Sequence, residues 1–430
     1  MRASRSRTFA LFIGVSLTGV SLAAGQTPRQ DSATAQAIRQ EMEQLRKDFE
    51  ARLAALESRL VAMGGGQVTA PAQAPAQPTA EVPQGAAGAG GPSGALPVYG
   101  NVSAASKIFN PDVAVIGNFL GASGKNEVKP EPVLQMPESE VSLQAIVDPY
   151  ARADFFLAFG EQGVDLEEGF VTFPTLPGGL LARVGKFRSA FGRINASHSH
   201  QIPWIDRPLV TGNLVGGEEG LSDAGLSVAR LIPNPWVFLE ATGQVFRGDV
   251  NDIFVSNRRS DLSYVGRLRG YQDITESTNL DLGVSYSYGH NGSGLTEGAD
   301  LTTGLYGIDA TIRWRPLQRS IYRSFIGRSE VIWSRREQPN GRQDATGLFV
   351  SGDYQLGRRW FTGVRFDRSD RADDASLRDT GGSWTLTYWP SEFSQIRGQL
   401  RRTTYAEGPT ATELLFQFMF NIGAHGAHPF

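Results

Sequence analysis

The chain has 430 residues, no cysteine, fifty glycines, ten per cent aromatics and a formal net charge of −3. That balance gives no global pull toward nucleic acid or acidic lipid. The mean hydropathy of −0.24 is too polar for a bundle of membrane helices, yet it suits a fold in which alternate residues meet lipid.

Residues 1–25 read as a secretory signal peptide. Arg2, Arg5 and Arg7 precede the apolar stretch Phe9 to Val20, and Ser21 to Gly25 supply small residues for cleavage. The stretch is shorter than the roughly 20 apolar residues that a spanning helix needs. No cysteine follows it to carry a lipid. Residues 33–63 carry the spacing of a coiled-coil helix. Ile38, Met42, Leu45 and Phe49 recur at steps of four and three, and Leu53, Leu56, Leu60 and Met63 do the same after a stutter. So short a helix is marginal alone, and self-association of its apolar stripe is the expected remedy. Residues 64–97 are rich in Ala, Pro, Gly and Gln and read as a disordered linker.

From about residue 100 to the end at 430 the period becomes two. Leu280, Leu282, Val284, Tyr286 and Tyr288 alternate with Asp281, Gly283, Ser285, Ser287 and Gly289. The same pattern runs through 306–315, 383–388 and 413–422, and the apolar side often ends in Tyr or Trp. Alternation alone does not separate a soluble sandwich from a membrane barrel. The export signal, the many long strands and the aromatic strand ends favour the barrel. The expected fold is therefore all-β, an antiparallel transmembrane β-barrel of about 16 strands, preceded by the helix and linker. Tight turns near 149, 177, 234, 276, 357 and 390, with a longer member at 315–323, alternate with longer connections at 121–137, 189–222, 248–260, 290–302, 337–344, 368–380 and 406–411, the short Gly160 to Gly163 connection being the exception in this second set. In a bacterial barrel the short set is periplasmic. That places the protein in the outer membrane with its coiled coil in the periplasm.

No GxSxG, HExxH or P-loop motif is present, so enzymatic activity is not expected and no cofactor is assigned. By strand parity Arg267, Arg269, Arg313, Arg315, Arg365, Arg397 and Arg401 point into the lumen, and Arg328 and Arg336 join them. Asp281, Asp309, Glu330, Asp367 and Glu413 share that face. Guanidiniums along a wet wall attract anions. Equally, they pair with the carboxylates and stiffen the wall. The longest connection, 189–222, exceeds an ordinary hairpin loop and holds a Trp-Pro cluster. Its Arg193, His198, His200, Asp206 and Arg207 are the candidate constriction and selectivity residues. His198, His200 and Asp206 are also of metal-ligating type. Loop histidines are more often plain polar residues, however, and no metal is assigned. His425 and His428 form a second, weaker pair.

Leu181-Ala182-Arg183-Val184-Gly185-Lys186-Phe187-Arg188-Ser189-Ala190-Phe191-Gly192 resembles the strand-to-loop motif of the phosphate-selective porin O/P family. The order of export signal, coiled coil, linker and barrel is similar to that family as well. The resemblance implies a trimeric sixteen-stranded porin with a constricting third loop and basic pore residues. Two departures matter. The loop has Arg193 and Arg207 but no dense arginine ladder, so phosphate selectivity does not carry over. Phe430 stands beyond the last alternating residue, Ile422, which displaces the usual terminal-Phe assembly signal.

The function expected is passive diffusion of small, mainly anionic solutes. The expected partners are outer-membrane lipid, small-molecule or ion solutes, two further copies in a homotrimer, and the barrel-assembly machinery, with no nucleic acid. The alternatives are a substrate-specific, metal-related receptor barrel and a structural envelope tether. Receptors of that type have about 22 strands and a plug, more than 330 or so residues supply.

Overall fold

A computed structural model describes residues 111–423, apart from 161–162, 218, 252 and 293–299. Of the segment before residue 79 it describes only Gln44 and Lys47, both helical and exposed. The signal peptide, most of the coiled coil, the linker, the strand start at 100 and the tail with His425, His428 and Phe430 lie outside the described residues.

Sixteen strands follow in order: β1 (Asp112–Lys125), β2 (Leu134–Asp148), β3 (Ala151–Gly160), β4 (Gly163–Leu176), β5 (Leu180–Arg188), β6 (Ser222–Leu231), β7 (Phe238–Phe246) and β8 (Ser263–Thr275). The second half comprises β9 (Thr278–His290), β10 (Thr302–Trp314), β11 (Phe325–Gln338), β12 (Gly341–Gly357), β13 (Trp360–Asp370), β14 (Arg378–Ser391), β15 (Ser394–Thr404) and β16 (Thr410–Gly423). Each pairs antiparallel with its sequence neighbours. β1 closes on β16 in a register running from Ala114 opposite Gly423 to Lys125 opposite Thr412. Closure leaves no unpaired edge, the condition for a sheet to stand in hydrocarbon.

Burial shows which way the two faces look. In β9, Leu282, Val284, Tyr286 and Tyr288 are exposed on the outside, whereas Asp281, Ser285 and Ser287 are buried within. β16 repeats this, with Leu414, Phe416, Phe418 and Ile422 outside and Glu413, Gln417 and Asn421 inside. Apolar-out and polar-in is the reverse of a soluble sandwich. Aromatics cluster on the outer surface: the Trp360 and Tyr388 rings stack at 4.5 Å, and Tyr286 meets Tyr306 at 5.0 Å.

One connection differs from expectation. The segment 337–344 contains only a two-residue turn, Pro339-Asn340, because β11 and β12 stay paired out to Gln338 opposite Gly341. Pro and Asn suit a tight turn, and the polar residues counted as loop belong to the hairpin.

The lumen holds the largest apolar core among the described residues. Phe187, Phe191, Ile194, Ile202, Trp204, Val210, Leu214, Val215 and Leu221 pack against Phe246, Val265, Leu305, Ile332 and Phe349 of the inner wall. The core exists because the connection 189–221, here L3, folds inward.

Candidate functional site

L3 enters the lumen by a local device. Phe187 and Phe191 are fully buried, and between Phe191 and Arg193 the chain turns at Gly192, whose φ is +61°. Gly192 N–H donates to Ser285 Oγ (3.0 Å) and Arg193 N–H to Glu330 Oε1 (3.1 Å). A side chain at Gly192 would collide with the Glu330 carboxylate, so the position needs glycine for both conformation and space. Ser189 N–H donates to Leu221 O (2.8 Å) across the neck of the loop. Asn195 secures that neck: its Nδ2 donates to Ser189 O and Leu221 O, and its Oδ1 accepts from Leu221 N–H.

Beyond the neck L3 runs through a 3-10 turn (Ser199–Gln201) and a short helix, α1 (Leu209–Leu214). Its tip is held by the wall. Arg365 of β13 donates to Asp206 O and Oδ2 (both 3.0 Å), Arg401 of β15 donates to Asp206 Oδ2 (3.1 Å), and Gln399 donates to Oδ1 (2.5 Å). Arg397 donates to the carbonyls of Ile202 (3.0 Å) and Trp204 (3.1 Å). Burial pushes the Asp206 carboxyl up. The charges of Arg365 and Arg401 and the Gln399 hydrogen bond outweigh it and hold it at about 2.

The other candidates fall into distinct places. Arg207 donates to Ile194 O (3.1 Å) and Ser197 O (2.7 Å), stapling the loop to itself. His198 and His200 are buried against Glu140 of β2, and His198 also meets Glu167 and Glu168 of β4. Arg193 reaches Asp281 at 3.2 Å. Arg269 binds the same carboxylate at 2.7 Å and Arg313 lies 3.8 Å from it. Three guanidiniums thus converge on one acid, and each keeps about a third of its side chain exposed. Arg267 pairs with Asp309 (2.9 Å) and Arg328 with Asp353 (2.6 Å). Arg315 is exposed in the connection after β10.

Between L3 and the wall of β1, β2 and β13–β16 lies a cavity of about 370 Å³. Asn118, Glu138, Asp206, Arg365, Arg401 and Thr403 are among its lining residues. Sequence reasoning did not single out Glu140, Glu167, Glu168 or Gln399. They sit at inward positions of strands, and parity alone does not say which inward residues a loop will reach. A clue to L3's footprint was present, however. Val331-Ile332-Trp333 and Gly347-Leu348-Phe349-Val350 break the alternation, because Ile332 and Phe349 are apolar yet face inward.

No family model matches the sequence. A protein of Aquifex aeolicus described as uncharacterized is 30% identical over 367 residues, covering 76% of this chain and 76% of its own. Among solved structures, OprB of Pseudomonas putida superposes with a TM-score of 0.52 at 11% identity, over 73% of this chain and 94% of its own. The anion-selective porin from Comamonas acidovorans gives 0.51 at 12% identity, over 73% and 100%. At such identities the likeness is one of fold.

Proposed function

The chain belongs to one family with the uncharacterized Aquifex aeolicus protein, and we propose that its barrel is an outer-membrane porin passing small solutes, with a mild preference for anions. The observation that carries this is L3: a long loop held inside the lumen of a sixteen-stranded barrel, beside a cavity whose lining includes Asp206, Arg365 and Arg401. A loop that narrows a wet passage without filling it sets size and charge selection. The outward apolar face supports a place in lipid, and strands of this kind are found in bacterial outer membranes.

The anion preference rests on Arg193, Arg269 and Arg313. Asp281 neutralises one of the three, so the patch carries surplus positive charge toward the lumen and attracts anions. At other places on the wall guanidiniums stand against carboxylates, as in Arg267–Asp309, Arg328–Asp353 and Arg365–Asp367, which keeps the preference mild. The phosphate-selective O/P resemblance agrees with the burial of Phe187 and Phe191 and the turn at Gly192, the residues of that motif that send L3 inward. The homotrimer and its periplasmic coiled coil rest on the 33–63 heptads. Single-channel recording in a planar bilayer tests the proposal. Ohmic current with a reversal potential of anionic sign under a salt gradient is expected, and absence of current would overturn it.

A further inference from the structure

Where L3 meets β2 and β4, the wall presents Glu138, Glu140, Glu167 and Glu168, and L3 presents His198 and His200. Glu140 Oε2 lies 3.0 Å from His198 Nδ1 and 3.6 Å from His200 Nδ1. The ligand atoms of Glu140, His198 and His200 all fall within 4.8 Å of one another.

We propose that Glu140, His198 and His200 form a divalent-metal site of the zinc class that clamps L3 to the barrel wall. Four observations carry it. First, two imidazoles and a carboxylate are the donor set that a borderline dication prefers. Second, metal bonds of about 2.0–2.2 Å in a tetrahedral site put neighbouring donors roughly 3.3–3.6 Å apart. The 3.6 Å separation meets that spacing and the 3.0 Å one falls a little short of it, so small side-chain movements suffice. Third, Glu140 is 3% exposed, and its buried Oε2 makes no well-formed hydrogen bond although two ring nitrogens face it. A buried carboxylate oxygen aimed at two nitrogens without a proper hydrogen bond is placed as a ligand would be. Fourth, His198 Nε2 lies 2.9 Å from Glu168 Oε2. That is the carboxylate–histidine–metal relay, in which the outer acid fixes the tautomer and turns the other nitrogen to the ion.

Charge agrees. Arg188 pairs with Glu167, and Arg183 is set electrostatically against Glu168. Glu138 and Glu140 make no ion pair with a guanidinium among the described residues, and with the two imidazoles facing Glu140 neutral, as metal ligands must be, a dication balances both acids. Glu167 Oε2, 3.2 Å from His198 Nδ1, is within reach as a fourth donor. The ion would join residues almost sixty positions apart in sequence, tying L3 to the barrel wall.

The test is a Zn²⁺ titration of the full-length, detergent-folded protein after stripping with EDTA, followed by Co²⁺ substitution. One saturable equivalent is expected, with the intense visible absorption of tetrahedral Co²⁺. Glu140→Gln and the His198→Asn/His200→Asn pair should weaken it at least tenfold. Glu168→Gln should weaken it by roughly 10–100-fold as an outer-shell change. His425→Asn/His428→Asn should leave it unchanged. Heat-modifiable migration establishes that each variant is folded. A wild type that binds no saturable equivalent overturns the proposal. So does binding that survives in folded Glu140→Gln, or that disappears in the tail variant alone, since the ion would then sit elsewhere. A Co²⁺ spectrum of the weak octahedral kind overturns it too, because it would mean a six-coordinate ion and not the tetrahedral site proposed.

Discussion

Arg365 and Asp206 are 159 residues apart in sequence and meet at 3.0 Å, the guanidinium rising from β13 and the carboxylate hanging from the tip of L3. Arg365 is buried and Asp206 nearly so, and Arg401 and Gln399 complete the grip. Removing one side of a buried pair leaves the other uncompensated, which costs about 3–5 kcal/mol. Asp206→Ala is therefore expected to loosen the tip of L3 and raise single-channel current noise. Noise identical to wild type would show that Arg397's bonds to Ile202 O and Trp204 O hold the tip alone.

The same pair sets a pH dependence. The Asp206 carboxyl is held at about 2, below its ordinary value near 3.9. A depressed acid stabilises the folded state fully above the unfolded value, and that stability is lost as pH falls through the folded one. The latch should thus hold through pH 4 and give way progressively from there toward pH 2. Conductance recorded stepwise from pH 5 to pH 2 should rise or become noisy at the acid end. In Asp206→Asn that component should be absent. A transition near pH 5 in the wild type would assign the effect to other carboxylates.

Trp204 is fully buried, 5.4 Å from the Phe349 ring and with the Arg365 guanidinium 4.8 Å from its own. Truncation to Ala should cost about 3–5 kcal/mol, read as a lowered temperature for the loss of heat-modifiable migration. Its Nε1 makes no hydrogen bond, so Trp204→Phe, which deletes part of the ring and no polar contact, should cost clearly less than truncation to Ala. Equal losses in the two variants would mean that indole shape, and not burial alone, carries the contact.

The charge patch gives a paired prediction. Arg269→Gln/Arg313→Gln removes two guanidiniums and should move the reversal potential toward cations. Asp281→Asn removes the acid they share and should move it toward anions. Opposite shifts with little change in current identify the patch as the selectivity element. Shifts of the same sign would mean that the substitutions act by collapsing the wall.

The barrel was readable because a period of two is a property of single strands, as in Leu414 to Ile422, and closure follows once every strand has two wet or greasy faces. The direction of those faces was not readable from alternation, and only the burial of Asp281 and Ser287 against the exposure of Val284 and Tyr286 fixes it. L3's length marked it as inward, and Gly192 is where the turn occurs. Its partners were not legible, since Glu140, Glu330 and Gln399 come from strands far apart in sequence, and their meeting depends on how the loop lies across the lumen. Parity put Arg267, Arg269 and Arg365 inside, but it cannot say that each would find a carboxylate. That requires the register with neighbouring strands, such as Arg269 opposite Gly283 beside Asp281.

The seam of the barrel decides what the N-terminal segment contributes. β1 pairs with β16 through Ala114↔Gly423 to Lys125↔Thr412, so every hydrogen bond that closes the ring lies between strands after residue 111. Deleting 26–95 removes none of them, and the truncated chain should still fold to a heat-modifiable barrel, because pairing satisfies the backbone without it. Oligomeric state should change instead. The 33–63 heptads carry an apolar stripe through Leu45 and Leu56, and a short helix gains stability chiefly by burying such a stripe against copies of itself. Crosslinking of the wild type should trap a trimer. Leu45→Asp/Leu56→Asp and the truncation should both shift it toward monomer while conductance per barrel stays near wild type. Trimer that persists in the truncated protein would place the contact on the outer wall. Only monomer in the wild type would remove the trimer altogether.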